Sequence, residues 1–136
     1  MMAVVVDASV AVAWCFPDEE APSGLDDLAL ELVQETAIVP GMFWYEVRNA
    51  LLRAERRGRI DHEGASRFLR QLATLRTELD YQHDEAETLA LARRHTLTFY
   101  DAAYLETAKR RRVALATLDS ALATAATSEG VANPIA

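Results

Sequence analysis

Hydrophobic positions along this chain switch repeatedly between short continuous apolar runs and stretches with helical spacing. A short apolar run bounded by turn formers and rich in small or β-branched residues reads as a strand buried on both faces. That predicts strands at Val4–Asp7, Ala37–Val39 and Ala114–Thr117, with further short ones at Glu78–Tyr81 and Val131–Asn133. Helical spacing predicts a short helix at Ser9–Phe16, stopped before Pro17, and another at Leu25–Glu35 with Leu28, Leu32 and Val33 on one side. The segment PDEEAPSG between them reads as a loop. Phe43–Arg57 carries Phe43, Val47, Leu51 and Ala54 at core-facing spacing, and Gly58 ends it after a basic last turn. Asp61 then caps a helix over residues 61–75 with Ala65, Phe68, Leu69, Leu72 and Leu75 inward, so the two helices form an antiparallel pair. Helices follow at Asp84–His95, at Asp101–Arg112 after the linker HTLTFY, and at Ser120–Ser128, closed by Gly130. Strands alternating with helices predict an α/β fold with a mainly parallel sheet of four to five strands, flanked by helices.

Composition adjusts this picture in a few places. The chain has 136 residues, which fits a single domain over 1–136, and 51% hydrophobic residues, enough for a proper core. Its lone Cys15 permits no internal disulfide and reads as a small core residue, which suits a reducing cytoplasm. Asp7 interrupts the apolar N-terminus and no Lys or Arg precedes Arg48, so no secretory signal is expected. No apolar run approaches membrane-spanning length, so no membrane partner is expected. The net charge of −7 argues against tight non-specific binding of nucleic acid. The charge is uneven, however, with −9 over residues 1–47 and +2 over the rest. Two bound divalent ions would bring the whole molecule near −3, which suits a transient grip on phosphates.

Four acids fall where a strand meets a helix, or on the helix that follows a strand: Asp7, Glu46, Asp101 and Asp119. Each has an ordinary explanation. Asp7, Asp101 and Asp119 stand where helix caps stand, and Glu46 could join Arg53 on a solvated stripe. Asn49, a poor mid-helix residue, shares the Glu46 face and suits a polar crevice. Four acids at matching topological positions point instead to one site, because ligand crevices of parallel sheets lie outside the carboxyl ends of the strands. Crowded carboxylates repel, and a hard divalent cation such as Mg²⁺ or Mn²⁺ removes the repulsion. The three histidines, His62, His83 and His95, lack ligand-like spacing and lie in polar segments that read as exposed. The cluster KRRR at 109–112 reads as a solvated helix end, with phosphate contact as its alternative.

Read together, VVVDASVAVAW at 4–14, YEVRNALL at 45–52, YDAAYLETA at 100–108 and ATLDSAL at 116–122 resemble the PIN-domain ribonucleases, specifically the VapC-type toxins of bacterial toxin–antitoxin pairs. The resemblance covers nearly the whole chain in the family's order and spacing. It implies a three-layer PIN-like sandwich and places the family's catalytic, metal-binding acids at Asp7, Glu46, Asp101 and Asp119. Ser9, Asn49 and Thr117 match polar neighbours of that site. It further implies Mg²⁺- or Mn²⁺-dependent cleavage of an RNA substrate, a homodimer, and inhibition by a cognate VapB-type antitoxin. Two ions about 4 Å apart would activate the attacking water and offset charge on the leaving oxygen, so no histidine base is needed. In-line attack would leave a 5′-phosphate and a 3′-hydroxyl.

Rival acidic sites fit less well. A phospho-receiver needs a Lys near its last strand, and the only lysine, Lys109, lies on a helix. A haloacid-dehalogenase-type phosphatase wants a second Asp where Ser9 stands. The rival of a different class is a non-catalytic PIN-like interaction module. For partners, the helix pair carries Phe43, Trp44, Leu51, Leu52, Phe68, Leu69 and Leu72, more apolar surface than a small sheet requires. Part of it is expected to form a groove for an amphipathic antitoxin segment. The homodimer face is expected to involve the 101–112 helix.

Overall fold

The computed structural model describes residues 3–17 and 20–135; positions 18 and 19 of the loop expected at 17–24 lie outside the described residues. Four parallel strands form one sheet in the order β3-β2-β1-β4, with β1 at Ala3–Val6, β2 at Thr36–Pro40, β3 at Thr77–Asp80 and β4 at Ala114–Ala116. Parallel neighbours cannot be joined by a tight hairpin, so each connection crosses over through helices. Between β1 and β2 lie α1 (Ala8–Cys15) and α2 (Gly24–Glu31). Between β2 and β3 lie α3 (Met42–Arg56) and α4 (His62–Leu72), and between β3 and β4 lie α5 (Glu85–His95) and α6 (Phe99–Arg111). The chain then closes with α7 (Ser120–Ser128). This is the α/β fold the alternating pattern predicts, with four strands among the described residues.

The apolar run of β1 is central because nothing in it tolerates water. Val4, Val5 and Val6 are buried, and β2 and β4 flank the strand in registers Val5↔Ile38 and Val5↔Leu115. Leu25, Leu28, Leu32, Val47, Leu51, Leu91, Leu105 and Leu122 complete the core from the helices. Residues 102–108 of α6 are buried without interruption, so α6 packs inside the molecule on every face of its middle turns. That leaves only the ends of α6, with Phe99 and Tyr100 exposed at its start, for the homodimer face expected there.

The element boundaries follow local chemistry. Asp61 caps α4 by accepting from the Gly64 amide at 2.7 Å. Gly58 takes φ +71 in the link after α3, a left-handed conformation that side-chain-bearing residues resist. α6 begins earlier than its linker suggests, because Thr98 caps it and accepts from the Asp101 amide at 3.1 Å. The strand expected at Val131–Asn133 does not form; Leu115 donates one backbone bond to Ala132, at 2.9 Å, and no ladder follows. The Asn133 side chain is turned to the Thr117 carbonyl instead, at 3.1 Å.

Candidate active site

The strand order places a topological switch point beside β1. From β1 the chain builds outward through β2 and β3, then returns to lay β4 on the other side of β1. The segments leaving β1 and β4 therefore diverge and open a crevice at their carboxyl ends. Asp7 leaves β1 there, and Thr117, Leu118 and Asp119 leave β4. Glu46 enters from α3 and Asp101 from the first turn of α6. All four expected acids line one cavity of about 430 Å³, together with Ser9, Asn49, Arg53 and Tyr104.

Asp7 forms the floor and is only 5% exposed. Its Oδ1 accepts from the Ser9 hydroxyl at 2.5 Å and the Val10 amide at 3.2 Å, and its Oδ2 accepts from the Thr117 hydroxyl at 2.5 Å. Both hydroxyls are also acceptors, Ser9 from the Leu118 amide and Thr117 from the Asp119 amide, each at 3.0 Å. A hydroxyl that accepts from a backbone N–H has its proton free for one direction, and here that direction is Asp7. Tyr104 repeats the device. Its phenol oxygen takes the Ala8 amide and donates to Glu46 Oε1 at 2.7 Å. Thus Ser9 and Thr117 do neighbour Asp7 as expected, whereas Tyr104 escaped the sequence reading. Its only local signal was a polar aromatic three residues after Asp101, on the same helix face.

The capping explanations sort differently for each acid. Asp7 and Asp119 do cap, Asp119 by accepting from the Leu122 amide at 2.9 Å, and both line the cavity as well. Asp101 does not cap, since Thr98 has that task. Glu46 is not paired with Arg53; its recorded partner is the Tyr104 hydroxyl.

Electrostatically the site is short of positive charge. Burial raises the proton affinity of Asp7 above the ordinary carboxylate range, against the hydrogen bonds of Ser9, Thr117 and Val10, and the charge of Asp119 adds to the rise. Burial likewise raises Glu46, opposed by the Tyr104 hydrogen bond and reinforced by Asp101 and Asp7. Asp101 is raised by burial and by the charges of Asp119 and Asp7. Among the described residues, no three His, Cys, Asp or Glu side chains form a ready-made metal cluster. The donor set still fits a hard divalent cation. It consists of carboxylate oxygens, mutually repelling, at one cavity, with none of them ion-paired to a cation among the described residues.

The other candidates fall outside the cavity. His95 is not an exposed residue; its Nε2 lies 2.5 Å from Glu129, and its side chain is 13% exposed. His83 lies 3.7 Å from Glu106, and His62 is exposed beside Glu55. The first three residues of the basic cluster are ion-paired within the chain, at 27–33% side-chain exposure. Lys109 bonds Glu129, Arg110 bonds Glu106 and Asp80, and Arg111 bonds Asp80 and pairs with Glu78. Cys15 is partly buried against the core. Of the seven groove candidates, Phe43 and Phe68 are core residues at 8% exposure, which corrects their assignment to a surface, and Leu51, 2% exposed, still lines the cavity between α3 and α4. Leu69 and Leu72 are half-buried, while Trp44 and Leu52 remain about half exposed. A separate cavity between α3 and α4 is lined by Arg48, Leu51, Leu52 and Leu69 among others.

Comparison with known proteins agrees with this geometry. The family described as PIN domain matches residues 4–127. Ribonuclease VapC3 of Pyrobaculum aerophilum is 36% identical over 126 residues, covering 90% of this chain and 93% of that protein. Exonuclease VapC9 of the same organism is 39% identical over 79 residues, 57% of this chain and 58% of its own length. Both relatives are archaeal, so they lend nothing to a specifically bacterial origin. Among solved structures, PAE2754 from Pyrobaculum aerophilum superposes with a TM-score of 0.69 at 29% identity, over 91% of this chain and 79% of the other. A toxin–antitoxin complex from Klebsiella pneumoniae, at 22% identity and TM-score 0.61 over 97% of each chain, shares the fold.

Proposed function

This chain belongs to the PIN-domain family, and from that premise we propose that it is a metal-dependent endoribonuclease, the toxin of a toxin–antitoxin pair. The observation that carries the reading is the meeting of Asp7, Glu46, Asp101 and Asp119 at one cavity of the sheet's switch point, with no cation among the described residues paired to them. These four are assigned as the ligands of Mg²⁺ or Mn²⁺ and as the catalytic residues. A bound divalent cation supplies Lewis-acid activation of water and offsets charge at phosphoryl oxygens. The chain's own residues fix the geometry. Ser9 and Thr117 clamp Asp7 in one orientation, and Tyr104 holds one oxygen of Glu46. Asn49, exposed on the cavity wall, offers its amide to the substrate. The names of the two relatives, a ribonuclease and an exonuclease, support nuclease chemistry.

The partners follow the same reading. A VapB-type antitoxin would seat an amphipathic segment in the α3–α4 cavity, against Leu52, Leu69 and the neighbouring Trp44. A homodimer that involves α6 would use its exposed ends, Phe99 and Tyr100 among them, rather than its buried middle. No helix among the described residues is long and apolar enough to cross a membrane.

The deciding experiment is cleavage of a structured RNA by the purified chain with Mn²⁺, with chelator, and with the variants Asp7→Asn and Asp101→Asn. Cleavage should require the metal and disappear in both variants; full activity in both would overturn the site. A circular RNA distinguishes internal cutting from attack at an end. A non-catalytic module would bind partners and cut nothing.

A further inference from the structure

The carboxylate cavity has one cation in its lining, Arg53. Arg53 follows Glu46 by seven residues on α3, so both side chains leave the same helix face, about 10 Å apart along the axis. That separation accounts for the missing ion pair between them. Arg53 is exposed, and its side chain makes no hydrogen bond or ion pair among the described residues. Other arginines are committed elsewhere: Arg110 and Arg111 to buried carboxylates, and Arg48 to the face of Trp44 at 3.7 Å. Between Glu46 and Arg53, the cavity wall holds Asn49 and the small Ala50. One turn beyond Arg53 on the same face comes Arg57, also exposed and without a side-chain partner among the described residues.

We propose that this face of α3 is a phosphate track for an unpaired RNA strand. A phosphate at the carboxylates reacts, Arg53 grips a phosphate flanking it, and Arg57 extends the path. The inference rests on the nuclease reading above and deepens it. A guanidinium that served only to neutralise the acids would stand against a carboxylate; Arg53 stands clear of them, with its donors free. Guanidinium donors match phosphate oxygens in pairs, and such contacts position a strand without reading its bases. The strand must be unpaired at the reacting phosphate, because Asp7 lies on the floor of the crevice, 5% exposed, where a duplex cannot follow.

The test measures binding of a fluorescein-labelled unpaired RNA oligonucleotide by anisotropy across a salt series, in an Asp101→Asn background that removes cutting. Adding Arg53→Ala should weaken binding about tenfold, the worth of a charged hydrogen bond. It should also reduce the salt slope by about 0.7, one phosphate's share for a single strand. Arg53→Lys should restore the slope. In the Asp101 parent, Arg53→Ala should act more on KM than on kcat. An unchanged affinity and slope in Arg53→Ala overturns the track, as does a lowered melting temperature of the metal-free protein with unaltered RNA affinity. Cleavage that ignores Arg53 removes the track and leaves the nuclease. Arg53-dependent binding without any cleavage by the parent removes the nuclease and leaves the track.

Discussion

Asp7 and Asp80 are hidden to the same degree, 5% and 4% exposed, at the carboxyl ends of strands in one sheet, yet their surroundings push them in opposite directions. Asp80 receives two bonds from Arg110, at 2.9 and 3.1 Å, and one from Arg111 at 2.8 Å. Those hydrogen bonds, against the cost of burial, hold its carboxyl far below the usual range. Asp7 receives only neutral donors, and burial wins, raising its proton affinity. Burial of an acid therefore does not mark a site. A carboxylate whose cation comes from the same chain is structural, and one left with hydroxyls and amides is a candidate ligand for a cation from outside.

Three experiments press on that contrast, beginning with the largest effect. Asp7→Asn should reduce cleavage on the order of 10³-fold, the loss of several kcal/mol of metal-assisted stabilisation. The same variant should leave metal-free stability unchanged or slightly raised, since it removes one of the repelling charges. Asp80→Ala should do the reverse. Turnover per folded molecule should survive, while stability falls by about 3 kcal/mol, the low end for orphaning a buried pair because both arginines keep some access to water. Urea denaturation followed by circular dichroism measures it, and equal stability losses in the two variants would erase the distinction. Next, Mn²⁺ at about 100 times its Kd should stabilise the parent by about 2.7 kcal/mol. Asp80→Ala should retain that shift in melting temperature, and Asp7→Asn should lose most of it.

The sequence carried the local half of this contrast. The valines of β1, the Asp61 cap, the Gly58 stop and the limits of α7 were all legible, because each depends on neighbours within a few residues. The acids of the cavity divide the same way: Asp7 and Asp119 follow apolar runs, a local signal, whereas Glu46 and Asp101 lie within helices and stood out only through the resemblance of YEVRNALL and YDAAYLETA. The partners were not legible. Nothing around residue 80 says that Arg110 and Arg111 will arrive from thirty residues away. Likewise the periodicity of 43–75 marks apolar positions without saying that Phe43, Leu51 and Phe68 go inward while Trp44 and Leu52 stay out. The lost strand at 131–133 has the same cause. A β-prone tripeptide becomes a strand only where a ladder is offered, and Leu115 offers Ala132 one bond.

A smaller effect appears in the pH dependence of stability, where the two classes of acid have opposite signs. Glu129 is held at about 2 by Lys109, His95 and Arg94, below its unfolded value of about 4.3. Its contribution is present above the unfolded value and is lost as pH falls toward about 2, and Asp80 behaves alike at still lower pH. Asp7, Glu46 and Asp101 hold protons more tightly folded than unfolded. Their contribution is fullest below the unfolded carboxylate value and fades as pH rises through the folded ones. The metal-free chain should therefore gain stability as pH drops from neutral toward about 4.5, then lose it in stronger acid. Urea midpoints across pH should show that crest, and Asp7→Asn should flatten its neutral side only. A crest of unchanged height in Asp7→Asn would mean that the cavity acids do not strain the fold.

The finest test concerns Tyr104, which ties Glu46 into the packed interior. It is 1% exposed in the middle of α6, and its hydroxyl donates to Glu46 while taking the Ala8 amide. Tyr104→Phe keeps the ring and its packing but frees Glu46 Oε1 and strands the Ala8 N–H. The cost in stability should be about 1 kcal/mol, that of one hydrogen bond. The more telling consequence is on the cation. Partners that orient a ligating group usually matter about tenfold or more in metal affinity. Calorimetric titration of the metal-free protein with Mn²⁺ should show a loss of that size. The loss should exceed anything seen in a control of equal destabilisation elsewhere in the core, such as Leu122→Val. If the two variants bind Mn²⁺ equally well, Tyr104 is packing alone, and Glu46 finds its direction without help from the interior.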